Sequence, residues 1–163
     1  MALIKNGKLV EDAFVRLDDD AALPADGAVL VSLERWQADR DGLLKRSAPV
    51  GLVLKSDQRP EFIGDGLEQL AVIALEFPAF RDGRAYSYAR LLREKYAYQG
   101  ELRAVGDILL EQLHYMVRTG FDAFEIESAD PLGDFTTAAD DFSVWYQPTA
   151  DGRDTAFDLR RRH

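Results

Sequence analysis

Cysteine is absent from all 163 residues. That absence removes disulfides, a thiol redox couple, a cysteine nucleophile and a thiolate-held iron–sulfur cluster. Imidazole is almost as scarce, since only His114 and His163 carry it, which leaves little from which to build a zinc site or a Ser-His-Asp triad. His114 lies mid-segment beside Tyr115, where a lone histidine is more often packed or solvated than catalytic. Basic residues are outnumbered, 20 Lys+Arg against 29 Asp+Glu for a net charge of −9. General nucleic-acid binding needs an extended basic face, so that balance argues against it. No apolar run approaches a membrane span, and residues 1–30 hold none long enough for a signal peptide, so the expected location is the cytoplasm, without membrane partners. Phosphate-cradling loops are missing too. Gly64-Asp65-Gly66 runs into Leu-Glu-Gln with no third glycine and no strand leading into it, and no Walker-type loop occurs. No cofactor or metal site is identifiable on these grounds, and a chain without thiols, metal motif or cofactor loop shows no evident means of moving electrons.

With 47% hydrophobic and 30% charged residues, the composition is that of a soluble globular protein, and the length suits one domain. Residues 1–27 mix short apolar pieces with Asp18-Asp19-Asp20 and Pro24 and read as a hairpin or extended arm. A rhythm begins at residue 28. Apolar, strand-like runs lie at 29–33, 50–54, 70–75, 102–105 and 121–126, and amphipathic, helix-length segments at 34–46, 86–98 and 107–119. Strands alternating with helices at this spacing predict successive βα units and a mostly parallel sheet within 28–147. An open, doubly wound sheet is favoured slightly over half of a (β/α)₈ barrel, which would expose an apolar edge and call for a second copy or a partner. Asp107 stands where the cap of the helix 107–119 belongs, and Gly120 stands at its stop. Pro60 and two glycines leave 56–69 room for a short helix near 67–70 at most, and 136–147 reads as a last helix docking Phe142 and Trp145. Residues 148–163 read as a polar, frayed tail.

One stretch departs from the acidic average. Residues 77–107 carry six basic side chains against four acidic ones and hold four of the six tyrosines. A positive, tyrosine-rich island in an acidic chain is what an anion or partner site looks like. Arg81-Asp82-Gly83-Arg84 is a turn ahead of a helix whose first turn offers free N–H groups and the Tyr86 and Ser87 hydroxyls, a ready place for sulfite, sulfate or phosphate. The plainer reading has Asp82 or Ser87 capping that helix while Arg84 pairs with Asp82 or Glu94. Ligands bind beyond the carboxyl ends of parallel strands, and reading those ends adds Glu76, Asp107 and Glu125 to the set, with Arg103 close behind. Arg103 sits inside a strand-like run and needs a carboxylate, for which Asp107, Glu76 and Glu125 are candidates. The candidate site is thus Asp82, Arg84, Tyr86, Ser87, Arg103 and Asp107, backed by Glu76 and Glu125, with no catalytic role assigned among them.

Three segments, FPAFRDGRAYSYARLL, YQGELRAVGDILLEQL and GFDAFEI, closely resemble a bacterial family, the domain of unknown function nine-three-four. Its members are encoded beside the sulfite reductase of assimilatory sulfur metabolism and carry an oxidoreductase label tied to sulfite reduction. The resemblance spans roughly residues 28–128 and brings no catalytic residue set with it. It implies an accessory protein of sulfur assimilation that docks on sulfite reductase or its electron donor. Two alternatives remain. One is a small enzyme binding a sulfur- or phosphate-bearing anion at a carboxylate–arginine site. The other is an α/β module whose unusual stretch is packing.

Overall fold

A computed structural model describes residues 1–139 and 152–161. Eight strands form one sheet in the order β2-β1-β8-β7-β6-β5-β4-β3. They are β1 Ala2–Lys5, β2 Lys8–Val10, β3 Phe14–Arg16, β4 Ala28–Ser32, β5 Val50–Leu54, β6 Val72–Phe77, β7 Glu101–Gly106 and β8 Ala123–Ile126. The six from β3 to β8 are parallel, while the β1–β2 hairpin adds antiparallel to β8. The fold is α/β with a mostly parallel sheet, as the alternation predicts. Strands β3 to β8 lie in chain order with no reversal, so right-handed crossovers put the helices between them on a single face. The sheet is open and curled, the half-barrel of the two architectures, and it lacks the switch-point crevice of a doubly wound fold.

The curl follows from chain length. Laid flat, strands β2 and β3 would stand seven spacings apart, about 33 Å. They are joined by residues 11–13 alone, and four Cα steps reach at most about 15 Å. The sheet therefore has to roll until its two edges approach, and residues 11–13 become a strap across its concave side. Alternation along each strand then sorts the side chains. Val29, Val31, Leu52, Leu54, Ile73, Leu75, Leu102 and Phe124 point out into the main core under the helices. Leu30, Val53, Val72, Ala74 and Val105 point in and form a second, smaller cluster against Phe14. A half-barrel was expected to expose an apolar edge and call for a second copy or a partner. The inner apolar cluster is buried under the curl and the N-terminal arm, while Leu9, Val10 and Val15 on the two edge strands are exposed.

Six α-helices lie among the described residues: α1 Leu33–Ala38, α2 Arg40–Leu44, α3 Arg84–Glu94, α4 Leu113–Thr119, α5 Pro131–Ala139 and α6 Ala156–Arg161. The segment expected as one helix over 34–46 is two. Asp39 leaves the helical region (φ −134°, ψ 38°), and the Trp36 indole N–H and the Arg40 guanidinium from either side of the break both donate to the Ile63 carbonyl (2.9 and 2.7 Å). Helix α3 stops at Glu94, short of the expected end near 98, and Ala97 takes a left-handed conformation at φ 49°. Arg93 turns inward. It donates to the carbonyls of Tyr98, Gly100 and Gly120 and to the Asp122 carboxylate. The link 56–69 holds two short 3₁₀ turns, Pro60–Phe62 and Leu67–Gln69.

The largest correction is at 107–119. Gly106 turns with φ 97°, and the Asp107 N–H still pairs with the sheet through the Phe77 carbonyl at 2.7 Å. The helix is delayed by a 3₁₀ turn at Leu110–Gln112, whose Gln112 side chain accepts from the Leu109 N–H at 3.0 Å. Asp107 is therefore no helix cap. The last expected helix begins earlier, at Pro131, and the remainder of 136–147, with Phe142 and Trp145, lies outside the described residues. Within the stretch expected to fray, α6 forms with reciprocal capping: Thr155 N–H and hydroxyl donate to Asp158, and Asp158 N–H donates to the Thr155 hydroxyl.

Gly106 fixes where β7 ends. A Cβ there would meet the Phe77 carbonyl oxygen at 2.4 Å, whereas one at Gly27, also at positive φ, meets nothing within 4 Å. Gly106→Ala should cost about 2–4 kcal/mol and Gly27→Ala about 1–2 kcal/mol, measured by urea denaturation. Equal losses at the two positions would show that the contact with Phe77 is relieved cheaply.

Candidate functional site

The eight candidate residues separate into two groups. The first lies on the concave face and is centred on Arg103, 1% exposed. Leu102 and Ala104 face the helices, so the pleat turns Arg103 inward with Glu101. Its Nε donates to Glu101 at 2.7 Å, one terminal nitrogen donates to Asp12 at 2.7 Å and to Glu125 at 3.2 Å, and the other donates to Asp12 at 3.1 Å. Asp12 thus receives a two-pronged fork from the strap, the strongest geometry a guanidinium offers. Lys5 closes the second oxygen of Glu101 at 2.7 Å, and the guanidinium lies 5.8 Å from the Phe14 ring centroid. Of the three carboxylates expected as partners, Glu125 is one. Asp107 and Glu76 are not.

These contacts set the local charges. Burial works to raise the Asp12 carboxyl, but the Arg103 hydrogen bonds, the Phe14 N–H and the Arg103 charge outweigh it and hold the group below its ordinary value. Burial likewise disfavours the Arg103 cation, and its hydrogen bonds to Asp12 and Glu101, with the charges of those two carboxylates, more than reverse it. Both members of the pair stay ionised. Glu76, at the end of β6, shares the concave side through its register with Val105.

The second group sits at the carboxyl ends of the strands, around the start of α3. Arg84 forks onto Asp82 at 2.9 and 2.6 Å and donates to the Ser56 hydroxyl at 2.9 Å, and the Arg84 N–H donates to Asp82 at 3.2 Å. Asp82 therefore pairs with Arg84, as the plainer reading has it, and accepts the Arg84 N–H, while the cap position itself is held by Gly83 without a side-chain bond. The Arg84 hydrogen bonds hold the Asp82 carboxyl far below the usual carboxylate range, against an opposing desolvation. Ser87 faces solvent. Asp107 accepts the Phe80 N–H at 3.2 Å and so ties the loop after β6 to the end of β7. Tyr86 is half-buried between Phe77 and Tyr115, with ring centroids 5.2 and 5.0 Å away. Burial pushes its phenol up to about 12, Tyr115 adds to the rise and Gln112 opposes it.

The two groups do not share a cavity. Helix α3 packs Ala85, Ala89 and Leu92 on the outer face of the sheet, while Arg103 opens only toward a cleft of about 260 Å³ bounded by Lys5, the strap, Phe14 and Glu101. Asp12, Glu101, Lys5 and Ser56 were absent from the sequence-derived set. Glu101 carried a readable signal, since Glu101 and Arg103 alternate on a strand and must share a face. Asp12 carried none, being 91 positions from its partner. Among the described residues no group of three or more His, Asp or Glu is placed to hold a metal ion, and no described helix is long and apolar enough to cross a membrane.

Residues 51–157 match the family model described as "Bacterial protein of unknown function (DUF934)". No curated protein matches the chain.

Removing one partner of a buried charge network strands the others. Arg103→Ala should cost about 3–5 kcal/mol by urea denaturation, well beyond the loss from Arg103→Met, which refills the space. Because Asp12 titrates below its unfolded value of 3.8, its contribution is complete above that pH and is lost as the pH falls further; Asp12→Asn should flatten this part of the acid limb. At the alkaline end the order reverses. Tyr86 holds its proton to about 12 against 10.0 unfolded, so the stability it supplies is complete below pH 10 and drains away toward 12. Absorbance titration of wild type and Tyr86→Phe should differ by one late-ionising phenol.

Proposed function

The chain belongs to this family of bacterial proteins of unknown function, and we propose that it serves assimilatory sulfite reduction as a cytoplasmic accessory protein docking on sulfite reductase or its electron donor. The observation that carries the reading is a contiguous exposed patch where the strands end. Phe80 is 51% exposed, Tyr115 45% and Leu110 37%, and Arg81 and Arg84 lie exposed beside Phe80. The Asp107 link to the Phe80 N–H and the Tyr86–Tyr115 stack join the patch into one surface. Aromatic and arginine side chains around an apolar centre are the favoured anchors of protein interfaces. Within an acidic protein they also favour an acidic partner.

Packing explains the tyrosines of the island and leaves the loop unexplained. Tyr98 is buried, and Tyr86, Tyr88 and Tyr96 are partly buried against the main core. The Phe80 ring is half exposed and Arg81 is exposed. The alternative of a small enzyme acting on a sulfur- or phosphate-bearing anion is less well supported at this rim, because the Arg84 fork is already filled by Asp82 and Ser56. An incoming anion would have to displace a carboxylate that also accepts the first N–H of α3 and sits two residues away on the same turn.

The double variant Phe80→Ser, Arg81→Glu should bind the reductase complex at least about tenfold more weakly than wild type, with an unchanged melting temperature, since truncated anchors cost about 1–2 kcal/mol each. Pull-down and biosensor measurements with assimilatory sulfite reductase and its electron donor read this directly. Capture that ignores the substitutions, or no capture of reductase or donor by wild type, would sink the proposal. The purified protein is expected to be colourless, and stoichiometric flavin absorbance would overturn the accessory reading.

A further inference from the structure

The cleft beside Arg103 lies on the concave face, away from the docking patch, and the docking reading makes no use of it. Its floor is an arginine almost wholly removed from water, and its side walls are Lys5 and Leu3 on β1 and Glu101 on β7. Its roof is the strap. Asp12, the strap residue that engages Arg103, keeps its side chain 34% exposed, and Glu11 and Ala13 on either side are exposed as well. The strap joins two edge strands of three residues each, β2 wholly exposed and β3 held by a short ladder to β4. Short edge elements with few buried contacts occupy the low-stability end of a fold and open locally.

Once the strap lifts, Glu11 and Asp12 leave together. The fixed charges that remain around the cleft are Lys5 and Arg103 against Glu101 and Glu125, which balance. The edge of the guanidinium that held Asp12 through two nitrogens then faces the cleft unfilled. We propose that this cleft is a binding site for a small monocarboxylate, and that Asp12 is the internal ligand occupying it in the closed form. The planar two-oxygen head matches the fork that Asp12 now fills, and a short alkyl tail has Leu3 and Val10 to lie against. One added negative charge leaves the site no more negative than the closed form. In the place of the single Asp12 carboxylate, sulfate or phosphate would set two charges in contact with Arg103 beside Glu101 and Glu125, and is rejected. The ligand and the strap exclude each other, so occupancy releases residues 11–13 and loosens β3.

The wild-type protein supplies the first test. The Phe14 N–H donates to Asp12 and reports whether the strap is seated. Because an intramolecular competitor acts at millimolar or higher effective concentration, sodium acetate at about 100 mM is the probe. Acetate should speed hydrogen exchange at Phe14 and Val15 severalfold over chloride of equal ionic strength, and sulfate should not. The second test uses Asp12→Asn, which keeps the size and removes the charge. Acetate should bind it at least about tenfold more tightly than wild type, read from the Arg103 Nε–H resonance, since the competing closed state is weakened. Acetate and chloride acting alike on the wild-type amides would overturn the proposal, whether or not the variant folds. So would a folded variant whose Arg103 resonance acetate does not move, or sulfate binding as well as acetate.

Discussion

Three residues join opposite edges of an eight-stranded sheet, and much of the architecture follows from their short reach. A link of that length forbids a flat or gently twisted sheet and forces a roll. The roll gives the protein a concave interior, and sequential strand order sends the helices to the outside. The two faces of the sheet thereby acquire different characters. The outer one is a conventional apolar core with Trp36, Phe77, Phe124 and Leu92 under helices. The inner one is small and partly ionic, with Arg103 as its largest wholly buried side chain.

A buried guanidinium is costly unless its hydrogen bonds and charge are matched, and here the matching groups come from three separate parts of the chain. Glu101 comes with the strand itself, Glu125 from the neighbouring strand and Asp12 from the strap. The same pair that balances the charge also pins the strap across the interior. The length of the link and the ionic contact are therefore two aspects of one closure: the first brings Asp12 within reach, and the second rewards its arrival. An apolar substitute could fill the space but would not fix the register of the strap, which is the kind of specificity that directional ion pairs provide.

At the carboxyl ends of the strands the polar groups are arranged differently. Asp82, Arg84 and Ser56 satisfy one another, and Asp107 ties two loops together. The polar residues there brace the rim, and the side chains left over are apolar or aromatic: Phe80, Leu110 and Tyr115. A braced rim presenting an apolar centre with flanking arginines suits a docking surface better than a reaction site, where polar groups converge on a space they leave open.

Alternation and period were legible from the sequence because they are local. The runs at 50–54 and 102–105 place β5 and β7 almost to the residue, and the βα rhythm gave the parallel sheet, since a period of two against 3.6 is decided by neighbours along the chain. The helix expected at 107–119 failed for a non-local reason: the Phe77 carbonyl on the adjacent strand claims the Asp107 N–H and postpones the helical turn. The same holds for the site. The sequence marked Arg103 as needing a carboxylate and offered Glu125 correctly, yet it set Arg84 and Arg103 at one rim. The pleat decided otherwise, turning one inward while the other heads a helix on the outer side. The partner that closes the interior, Asp12, stands 91 positions away with no local pattern around it. Only a rolled sheet brings it there, because the choice is made by the distance between two edges and not by any preference of the residues themselves.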